Sequence, residues 1–346
     1  MEKLIIIGDF LKDLDDEHTL IAAVELERQG LIEILCVIGN LAPASMRARG
    51  AKGTLQTLGR GNVPVGVGLP VFEGKAYPYE SEIPYLAPET DVEPGYELMV
   101  RTLEAQEDES VTLLLISGLT DAAKLVVTAG HLLNAKLKGV VIMGGVEVED
   151  ESVKLNEFGF MTPNNANNNS FDMTSAIFLH QKLQELGIPM TIVTREVAYS
   201  SGVPFAMYDK LVGTGNPVGE CLRNRQKPSL QHLWEAACSG PNSELRGTLP
   251  NDRDRAWFLK VFCGGEIPEN IPGNDIWPFV KTFNLYDPTA LYAAVPSIRD
   301  RFYEPTHVVV NNTIHNVIGV SQKAPGVRDI RSFIEFMVET EVKGLS

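Results

Sequence analysis

Four carboxylates lie close together near the start of the chain, where a predicted strand gives way to a predicted helix. The apolar run 4–7 is typical of a buried strand, and a helical pattern begins near Asp16. The acids are Asp9, Asp13, Asp15 and Asp16. Like charges crowded at a strand end repel one another, so a divalent cation is the simplest partner. Carboxylate oxygens suit hard ions such as Ca2+ or Mg2+.

The same acids have a simpler interpretation as a solvated turn that caps the helix. Aspartate is a favoured N-cap residue and stabilises the positive end of a helix. The placement of the acids directly after a strand, together with polar residues at similar positions later in the chain, favours the cation site.

Polar and glycine residues also follow other predicted strands. Examples are Asn40, Ser117-Gly118 and Gly144-Gly145. Predicted strands and helices alternate here, which indicates βαβ units and a mostly parallel sheet. Because ligands bind beyond the carboxyl ends of such strands, we expect these residues to meet the acids in one site.

The elements of this α/β fold can be placed from apolar periodicity and from helix and turn signals. The predicted strands are 4–7, 32–38, 63–67, 111–116, 140–143 and 190–193, and the predicted helices are 16–30, 44–59, 95–107, 122–127 and 172–186. Asp172 is the expected N-cap of the last of these helices, a Pro- and Tyr-bearing loop covers 69–95, and 307–320 is an expected edge hairpin. Residues 200–280 are expected to form a helical cap in the C-terminal half. We expect one domain over residues 1–346, with a mostly parallel central sheet flanked by helices.

Residues 156–172 have an unusual composition, since every residue from 164 to 169 is Asn except Ala166. Asparagine tolerates turns, so a polar loop is one interpretation. The other is a set of amides that donate to and accept from the hydroxyls of a sugar.

Composition excludes several classes of partner. The net charge of -15 argues against a basic surface for nucleic acid and against binding to anionic membranes. No apolar stretch is long enough for a transmembrane helix, and the start of the sequence does not have the pattern of a signal peptide. The cysteines show no CxxC spacing and are expected to be buried thiols of a reducing, cytoplasmic compartment. They are Cys36, Cys221, Cys238 and Cys263.

The chain resembles the inosine/uridine-preferring nucleoside hydrolase family over nearly its whole length. Each shared piece is short, but their joint order and spacing follow the family. The pieces are the acidic loop with Asp15-Asp16, Val37-Ile-Gly-Asn40, Ser117-Gly-Leu-Thr-Asp121, Met143-Gly-Gly145, Gly159 with Thr162-Pro163, Asn168 with Asp172, and Tyr286-Asp287-Pro288.

The resemblance implies one Ca2+ at the bottom of the pocket, where the ion would hold the ribose hydroxyls and the attacking water. Its implied ligands are the carboxylates of Asp9, Asp16 and Asp287 and a backbone carbonyl near Ile116. The resemblance also implies substrate contacts from Asn40, Met143 and Asn168. Carboxylates and amide oxygens suit N-glycosidic cleavage, because the sugar becomes oxocarbenium-like in the transition state.

The N-terminal motif departs from the family pattern Asp-x-Asp-Pro-Gly-x-Asp-Asp. Leu11 stands where the family has the Asp that binds the metal and acts as the base. We therefore assign proton abstraction to Asp15, beside the ligand Asp16, and expect Asp15 to contact the substrate as well. Asp13, at the Gly position of the motif, either replaces the lost ligand or faces solvent.

Three further departures affect the substrate side of the pocket. Phe160 replaces a family Asn, Ala166 replaces a Glu, and Tyr286 replaces the His before the last ligand. We keep Phe160 as a predicted substrate contact and Tyr286 as the predicted acid. A phenol with a reference pKa near 10 is a poorer acid than His at neutral pH. This pattern, with its Lys-Asp-x-Asp-Asp opening, is similar to the nucleoside-hydrolase-like type III effector group of plant pathogens.

Other enzyme classes lack their motifs in this chain, which has no GxSxG elbow, no P-loop and no paired histidine metal spacing. His18 is either a helix-surface residue or a group at the pocket rim. The sequence does not determine the base preference or the oligomeric state, and a homo-oligomer is one of the open alternatives.

Three functions follow from these observations. The first is a metal-dependent N-ribosyl hydrolase that acts on a small-molecule nucleoside or a related ribosylated compound. The second is a protein that binds a ribosyl ligand, such as ADP-ribose or a nucleotide, without cleaving it. The third is hydrolysis of a nucleoside 5′-monophosphate, which requires a basic rim, and Lys12, Arg47 and Arg49 are the candidates for that rim.

Overall fold

The computed structural model describes residues 1–12, 14–71, 83–247, 249–265, 267–268, 271 and 274–346. Asp13, with its two alternative roles, lies outside the described residues. So do residues 72–82 of the loop predicted at 69–95.

The described chain contains thirteen strands. They are β1 (Glu2–Gly8), β2 (Ile32–Gly39), β3 (Val65–Val67), β4 (Glu93–Pro94), β5 (Val111–Leu115), β6 (Leu137–Gly144), β7 (Val148–Glu149), β8 (Ser152–Val153), β9 (Met190–Thr194), β10 (Val203–Pro204), β11 (Thr282–Phe283), β12 (Thr306–Val310) and β13 (Thr313–Ile318). Two short pairs, β7 with β8 and β10 with β11, stand apart from the central sheet.

The helices surround this sheet. They are α1 (Asp15–Arg28), α2 (Ala44–Thr57), α3 (Gly95–Glu104), α4 (Thr120–Lys136), α5 (Asn167–Ser170), α6 (Met173–Glu185), α7 (Arg195–Ser200), α8 (Met207–Gly213), α9 (Pro217–Cys238), α10 (Arg255–Phe258), α11 (Tyr286–Ala294), α12 (Pro296–Phe302) and α13 (Ile330–Gly344). A π-helical turn, Leu259–Cys263, continues α10.

The central sheet has nine strands in the order β12-β13-β9-β6-β5-β1-β2-β3-β4. Neighbouring strands are parallel except at one edge, where β12 pairs antiparallel with β13. The chain runs outward from β1 in one direction as far as β4 and then returns to β5 on the other side of β1. The strand order therefore reverses between β1 and β5, where ligands bind in open α/β sheets. The predicted fold class is confirmed.

The sheet is buried on both faces, which explains why its strands are continuous apolar runs. Along β1, Leu4 and Ile6 belong to one core with residues of α1, α11 and α13. Ile5 and Ile7 belong to a second core with residues of α3, α4 and α6. Two helical layers thus enclose the sheet and fix the position of its carboxyl edge.

Local predictions agree with the structure in several places and differ in others. Asp172 caps α6 by accepting a hydrogen bond from the Ser175 amide, and the predicted edge hairpin forms from β12 and β13. The asparagine run is not wholly a loop, because Asn167–Ser170 forms a helical turn. Helix α4 is longer than predicted, since it continues through a kink at Ala129.

The four cysteines carry free thiols, but they are not all buried as predicted. Cys238, at the end of α9, is exposed. None of the described helices is both long and apolar enough to cross a membrane.

Candidate active site

Three carboxylates meet at the carboxyl edge of the sheet. Asp15 and Asp16 begin α1 just after β1, and Asp287 lies in the first turn of α11. One oxygen from each of the three lies within 4.8 Å of the others. The fold thus unites two sequence motifs that are far apart in the chain.

Asp16 is the most buried member of this cluster. Its Oδ1 accepts a hydrogen bond from the Asp9 amide at 3.0 Å, whereas its buried Oδ2 has no hydrogen-bond partner in the described part of the chain. A side chain at Gly8 would place its Cβ 2.6 Å from Asp16 Oδ1, so the carboxylate sits closely against the end of β1. Burial raises the pKa of Asp16 well above its ordinary range, and the charges of Asp9, Asp287 and Asp15 raise it further.

A divalent cation fits this donor set. Three carboxylates converge, one of them has a buried oxygen without a partner among the described residues, and their mutual repulsion needs a positive charge to offset it.

Asp15, a member of the cluster, and Asp9 both lie on the wall of the cavity, with different partners. Asp15 Oδ2 accepts hydrogen bonds from the backbone amides of Tyr286 and Asp287 at 3.1 and 3.3 Å. Asp9 Oδ2 pairs with Lys12 Nζ at 3.1 Å, and the cluster of three does not include it. Because this pair uses Oδ2, a metal role for Asp9 would fall to its other oxygen, Oδ1.

The cavity has a volume of about 360 Å³ and lies between the sheet edge and the helical cap. Among the residues predicted for the site, its wall includes Asp9, Asp15, Ile116, Met143, Asn168, Tyr286 and Asp287. Residues of α9 and of the segment 249–257 close it from the cap side. The sheet thus supplies an acidic, amide-bearing floor, and the cap supplies a roof of apolar and polar side chains that includes Asp252 and Arg253.

Asn168 is oriented by Met143, another predicted substrate contact. Its Nδ2 donates to the Met143 carbonyl at 3.0 Å. This bond orients the side-chain amide, so that its oxygen can accept a hydroxyl hydrogen bond and its nitrogen keeps a second N–H to donate.

Asn40 and Phe160 are not among the residues that line the cavity. Asn40 is buried, its Nδ2 donates to Asp121 and to the Gly118 carbonyl, and its Oδ1 accepts from Ser117 at 2.6 Å. Asn40 therefore fixes the loop after β5. The partly buried Phe160 packs against the second core.

Tyr286 begins α11 on the cavity wall. Its ring meets the ring of Tyr199 edge to face, with centroids 6.0 Å apart. Burial raises the pKa of the Tyr286 hydroxyl well above 10, and the neighbouring Tyr199 raises it further. The hydroxyl therefore stays protonated at neutral pH and is a weak acid.

Leu11 occupies the position of the missing carboxylate and does not line the cavity. It has a φ of 72° and is fully buried in a small cluster with Ile83 and Cys221. Its amide donates to Glu17 Oε1 at 2.8 Å, and its carbonyl accepts from Arg225 at 2.7 Å. A Cβ at Gly50 would lie 2.5 Å from Leu11 Cδ1, so the glycine makes room for the leucine.

The three basic residues considered for a phosphate rim are occupied elsewhere. Lys12 pairs with Asp9, Arg47 donates to backbone carbonyls of Ala42, Asp9 and Phe10, and Arg49 bonds the Ala87 carbonyl. None of the three lines the cavity. These three side chains therefore do not form the predicted basic rim of the cavity.

A buried chain of hydrogen bonds beside the cavity was not predicted. His18 is fully buried and lines the cavity, as the second of its two predicted placements expects, and its Nδ1 pairs with Glu341. Burial alone would lower the pKa of His18, but the Glu341 carboxylate raises it above its ordinary value. His18 Nε2 lies 3.2 Å from the Tyr208 hydroxyl, which donates to Gln226 of the cap at 2.7 Å. No spacing in the sequence signals this chain, because its members come from four separate helices.

Known structures share this fold. The structure of the type III effector protein XopQ complexed with adenosine diphosphate ribose is similar with a TM-score of 0.84 and 29% identity, over 100% of this chain and 94% of that chain. The effector protein XOO4466 is similar with a TM-score of 0.80 and 27% identity, over 100% of this chain and 94% of its own. A purine-preferring ribonucleoside hydrolase from Gardnerella vaginalis gives a TM-score of 0.60 at 14% identity, over 99% of both chains. No protein-family model and no curated protein matches the sequence.

These neighbours confirm the predicted resemblance to nucleoside hydrolases in the divergent form represented by the effector group. The likeness to the hydrolase at 14% identity shows the fold alone.

Proposed function

We propose that the chain is a metal-dependent N-ribosyl hydrolase, which cleaves the N-glycosidic bond of a nucleoside or a related ribosylated compound to ribose and base. The observation that carries the proposal is the cluster of Asp15, Asp16 and Asp287 at the switch point of a nucleoside hydrolase fold. Asp16 and Asp287 would hold Ca2+, together with Asp9 and the backbone carbonyl of Ile116. When bound, such an ion lowers the pKa of water and fixes the hydroxyls of the sugar.

The residues of the chain would then do three things. Asp15 takes the proton from the attacking water, with one oxygen held by the start of α11. Asn168 accepts a hydrogen bond from a ribose hydroxyl through its side-chain carbonyl, with its amide group oriented by the bond from Nδ2 to Met143. The carboxylates of the cavity floor stabilise the positive charge that develops on the ribose as the bond breaks.

Tyr286 is the proposed acid, and its raised pKa makes it a weak one. Protonation of the leaving base would therefore contribute less than in an enzyme with a histidine at this position. We propose that the enzyme favours substrates whose leaving group departs with little help.

Two predicted substrate contacts would require side chains to give up bonds or packing that the structure shows. Asn40 reaches a ligand only if its amide gives up bonds to the loop after β5. Phe160 reaches one only if it leaves its packing against the second core.

Product analysis tests the proposal. Purified protein is incubated in Ca2+ with inosine, adenosine or uridine, and the free base is separated by chromatography. The proposal expects base and ribose in equal amounts, growing with time and with protein concentration. If every compound is recovered intact, hydrolysis of ordinary nucleosides is excluded.

A second candidate function is recognition of a ribosyl ligand without turnover. It is favoured by Leu11, which buries an apolar side chain where the family motif places its base. The effector relative whose structure contains adenosine diphosphate ribose suggests the ligand to try first. Calorimetry with ADP-ribose, followed by chromatography of the recovered ligand, separates the candidates, because a binding protein returns ADP-ribose uncleaved.

The proposed partner is therefore a small ribosyl compound, and we propose that the chain acts in the cytoplasm, a setting supported by its four free thiols.

A further inference from the structure

Arg253 is one of two arginines on the wall of the cavity, whose acidic residues are Asp9, Asp15, Asp252 and Asp287. It lies in the segment of the helical cap just before α10, and its side chain is half-buried. Its guanidinium carbon is 5.2 Å from the ring centre of Trp257 and 5.7 Å from that of Tyr199. Both rings also line the cavity. Two aromatic faces therefore hold the guanidinium in place on the cavity wall.

The guanidinium has no ion pair and no hydrogen bond to any residue that the structure describes. This includes Asp252, which is adjacent in sequence and lines the same cavity. Other buried arginines differ in this respect. Arg246, for example, donates to the backbone carbonyls of Ala236, Ser239 and Pro250. The hydrogen-bond donors of Arg253 are thus available to a ligand.

The backbone that carries Arg253 is itself fixed. Arg246 donates to the Arg253 carbonyl at 3.2 Å and to the Pro250 carbonyl at 2.6 Å. Asp254, the next residue, caps α10 by accepting a hydrogen bond from the Trp257 amide. With the backbone and the guanidinium plane both held, little side-chain entropy remains to be lost on binding.

A path of direct contacts joins Arg253 to the carboxylate cluster. Arg253 covers the ring of Tyr199, that ring meets Tyr286, and the Tyr286 amide is bonded to Asp15. The cavity therefore presents a carboxylate cluster and, connected to it through the rings of Tyr286 and Tyr199, a cation held by two aromatic rings.

We infer that Arg253 binds a phosphate group of the ligand, so that the cavity selects ribosyl compounds that carry a phosphate over the free nucleosides. A planar guanidinium matches the geometry of a phosphate through two parallel hydrogen bonds. Arg195 also lines the cavity, but its Nε pairs with Glu196 Oε1 at 3.5 Å, so the assignment rests on Arg253. The inference rests on the proposed function only in placing the ribose of the ligand at the carboxylate cluster.

Calorimetry with a matched pair of ligands tests the inference. The pair is adenosine and adenosine 5′-monophosphate, measured in Ca2+ with wild-type protein and with Arg253→Gln. We expect the monophosphate to bind wild type about 10- to 100-fold more tightly than adenosine, because charge-assisted hydrogen bonds add to its affinity. Arg253→Gln should remove that advantage and leave adenosine affinity nearly unchanged, which also shows that the variant is folded.

Arg255→Gln is the matched control. Arg255 lies two residues away and covers another tryptophan, Trp234, but it does not line the cavity. This variant should keep the wild-type preference for the monophosphate. Inorganic phosphate at the same concentration should give no measurable heat, and tight binding of inorganic phosphate alone would overturn the assignment to a ribosyl ligand.

Two results would overturn the role of Arg253. One is equal affinity of wild type for the two ligands, and the other is an equal loss of both affinities in Arg253→Gln. The inference and the proposed function fail separately. A phosphate preference that depends on Arg253 without any release of base would leave the inference standing and remove hydrolysis. Cleavage of nucleosides without a phosphate preference would do the reverse.

Discussion

The carboxylate of Asp15 accepts a hydrogen bond at 3.1 Å from the backbone amide of Tyr286, which lies 271 residues further along the chain. The same oxygen accepts a second bond from the Asp287 amide at 3.3 Å. A residue from the start of α1 thereby caps the first turn of α11, the helix that carries Asp287. This contact aligns the two sequence motifs of the cluster before any ligand binds.

Asparagine at position 15 separates the two roles of Asp15, which are to accept hydrogen bonds from the start of α11 and to take the proton from water. Asp15→Asn keeps an oxygen that can accept the amide hydrogen bonds, but it cannot take a proton from water. We expect turnover to fall by about 10²–10⁴-fold while ligand affinity changes little. Asp172→Asn is the control, because Asp172 also caps a helix but does not line the cavity. Unchanged turnover in Asp15→Asn would remove Asp15 from the catalytic role.

Thermal unfolding with and without Ca2+ examines the proposed ligands Asp16 and Asp287. A ligand that binds only the folded state raises its stability, so wild type should melt at a higher temperature in Ca2+. Asp16→Asn and Asp287→Asn should lose most of that rise. In a chelator, Asp16→Asn should be at least as stable as wild type, because it removes a carboxylate that its neighbours repel. Asp121→Asn alters another buried aspartate outside the cluster and should keep the Ca2+ response.

Removal of one hydroxyl tests Tyr286 as an acid. A nitrophenyl riboside has a leaving group that is stable as an anion, so it needs little protonation, whereas inosine needs more. Tyr286→Phe should slow inosine cleavage and spare the nitrophenyl riboside. Equal losses with both substrates would assign the hydroxyl a structural role. Cleavage of inosine by wild type at about 1–10³ per second would contradict the weak-acid argument.

Two buried histidines outside the site should make stability depend on pH. Burial lowers the pKa of His180 to about 4, helped by His315, and burial lowers that of His315 to about 4 as well. The unfolded chain therefore binds more protons between pH 4 and the ordinary value of 6.5. Their contribution to stability is complete above pH 6.5 and is lost as the pH falls towards 4.

Urea unfolding at pH 7 and pH 4.5 measures this effect. His180→Leu should reduce the acid-induced loss of unfolding free energy by on the order of 2–3 kcal/mol. His131→Leu changes an exposed histidine of α4 and should lose stability in acid as wild type does. An equal loss in His180→Leu and wild type would show that His180 titrates normally.

The parts of the site that follow from local patterns were predictable from the sequence. An apolar strand followed by acids places Asp16 at the sheet edge, and a proline in the first turn marks the helix that carries Asp287. Both signals act over a few residues, and the parallel sheet then brings them together. The N-cap role of Asp172 was predictable for the same reason.

The remaining features depend on contacts between distant segments. His18 is buried because Glu341, 323 residues away, supplies a partner for its ring nitrogen. Arg253 lies on the cavity wall against the ring of Tyr199, which belongs to the distant helix α7. Neither contact leaves a spacing in the sequence, since each is created by the packing of the cap and the last helix against the sheet.

Metal-dependent release of reducing sugar tests the central claim most directly. A panel of nucleosides and nucleotides is incubated with the protein in Ca2+, then with a chelator, and then with Ca2+ restored. The account predicts ribose or a ribose phosphate from at least one compound, loss of release on chelation, and recovery when Ca2+ returns. Absence of sugar release from the whole panel in Ca2+, or release that the chelator leaves unchanged, would contradict it.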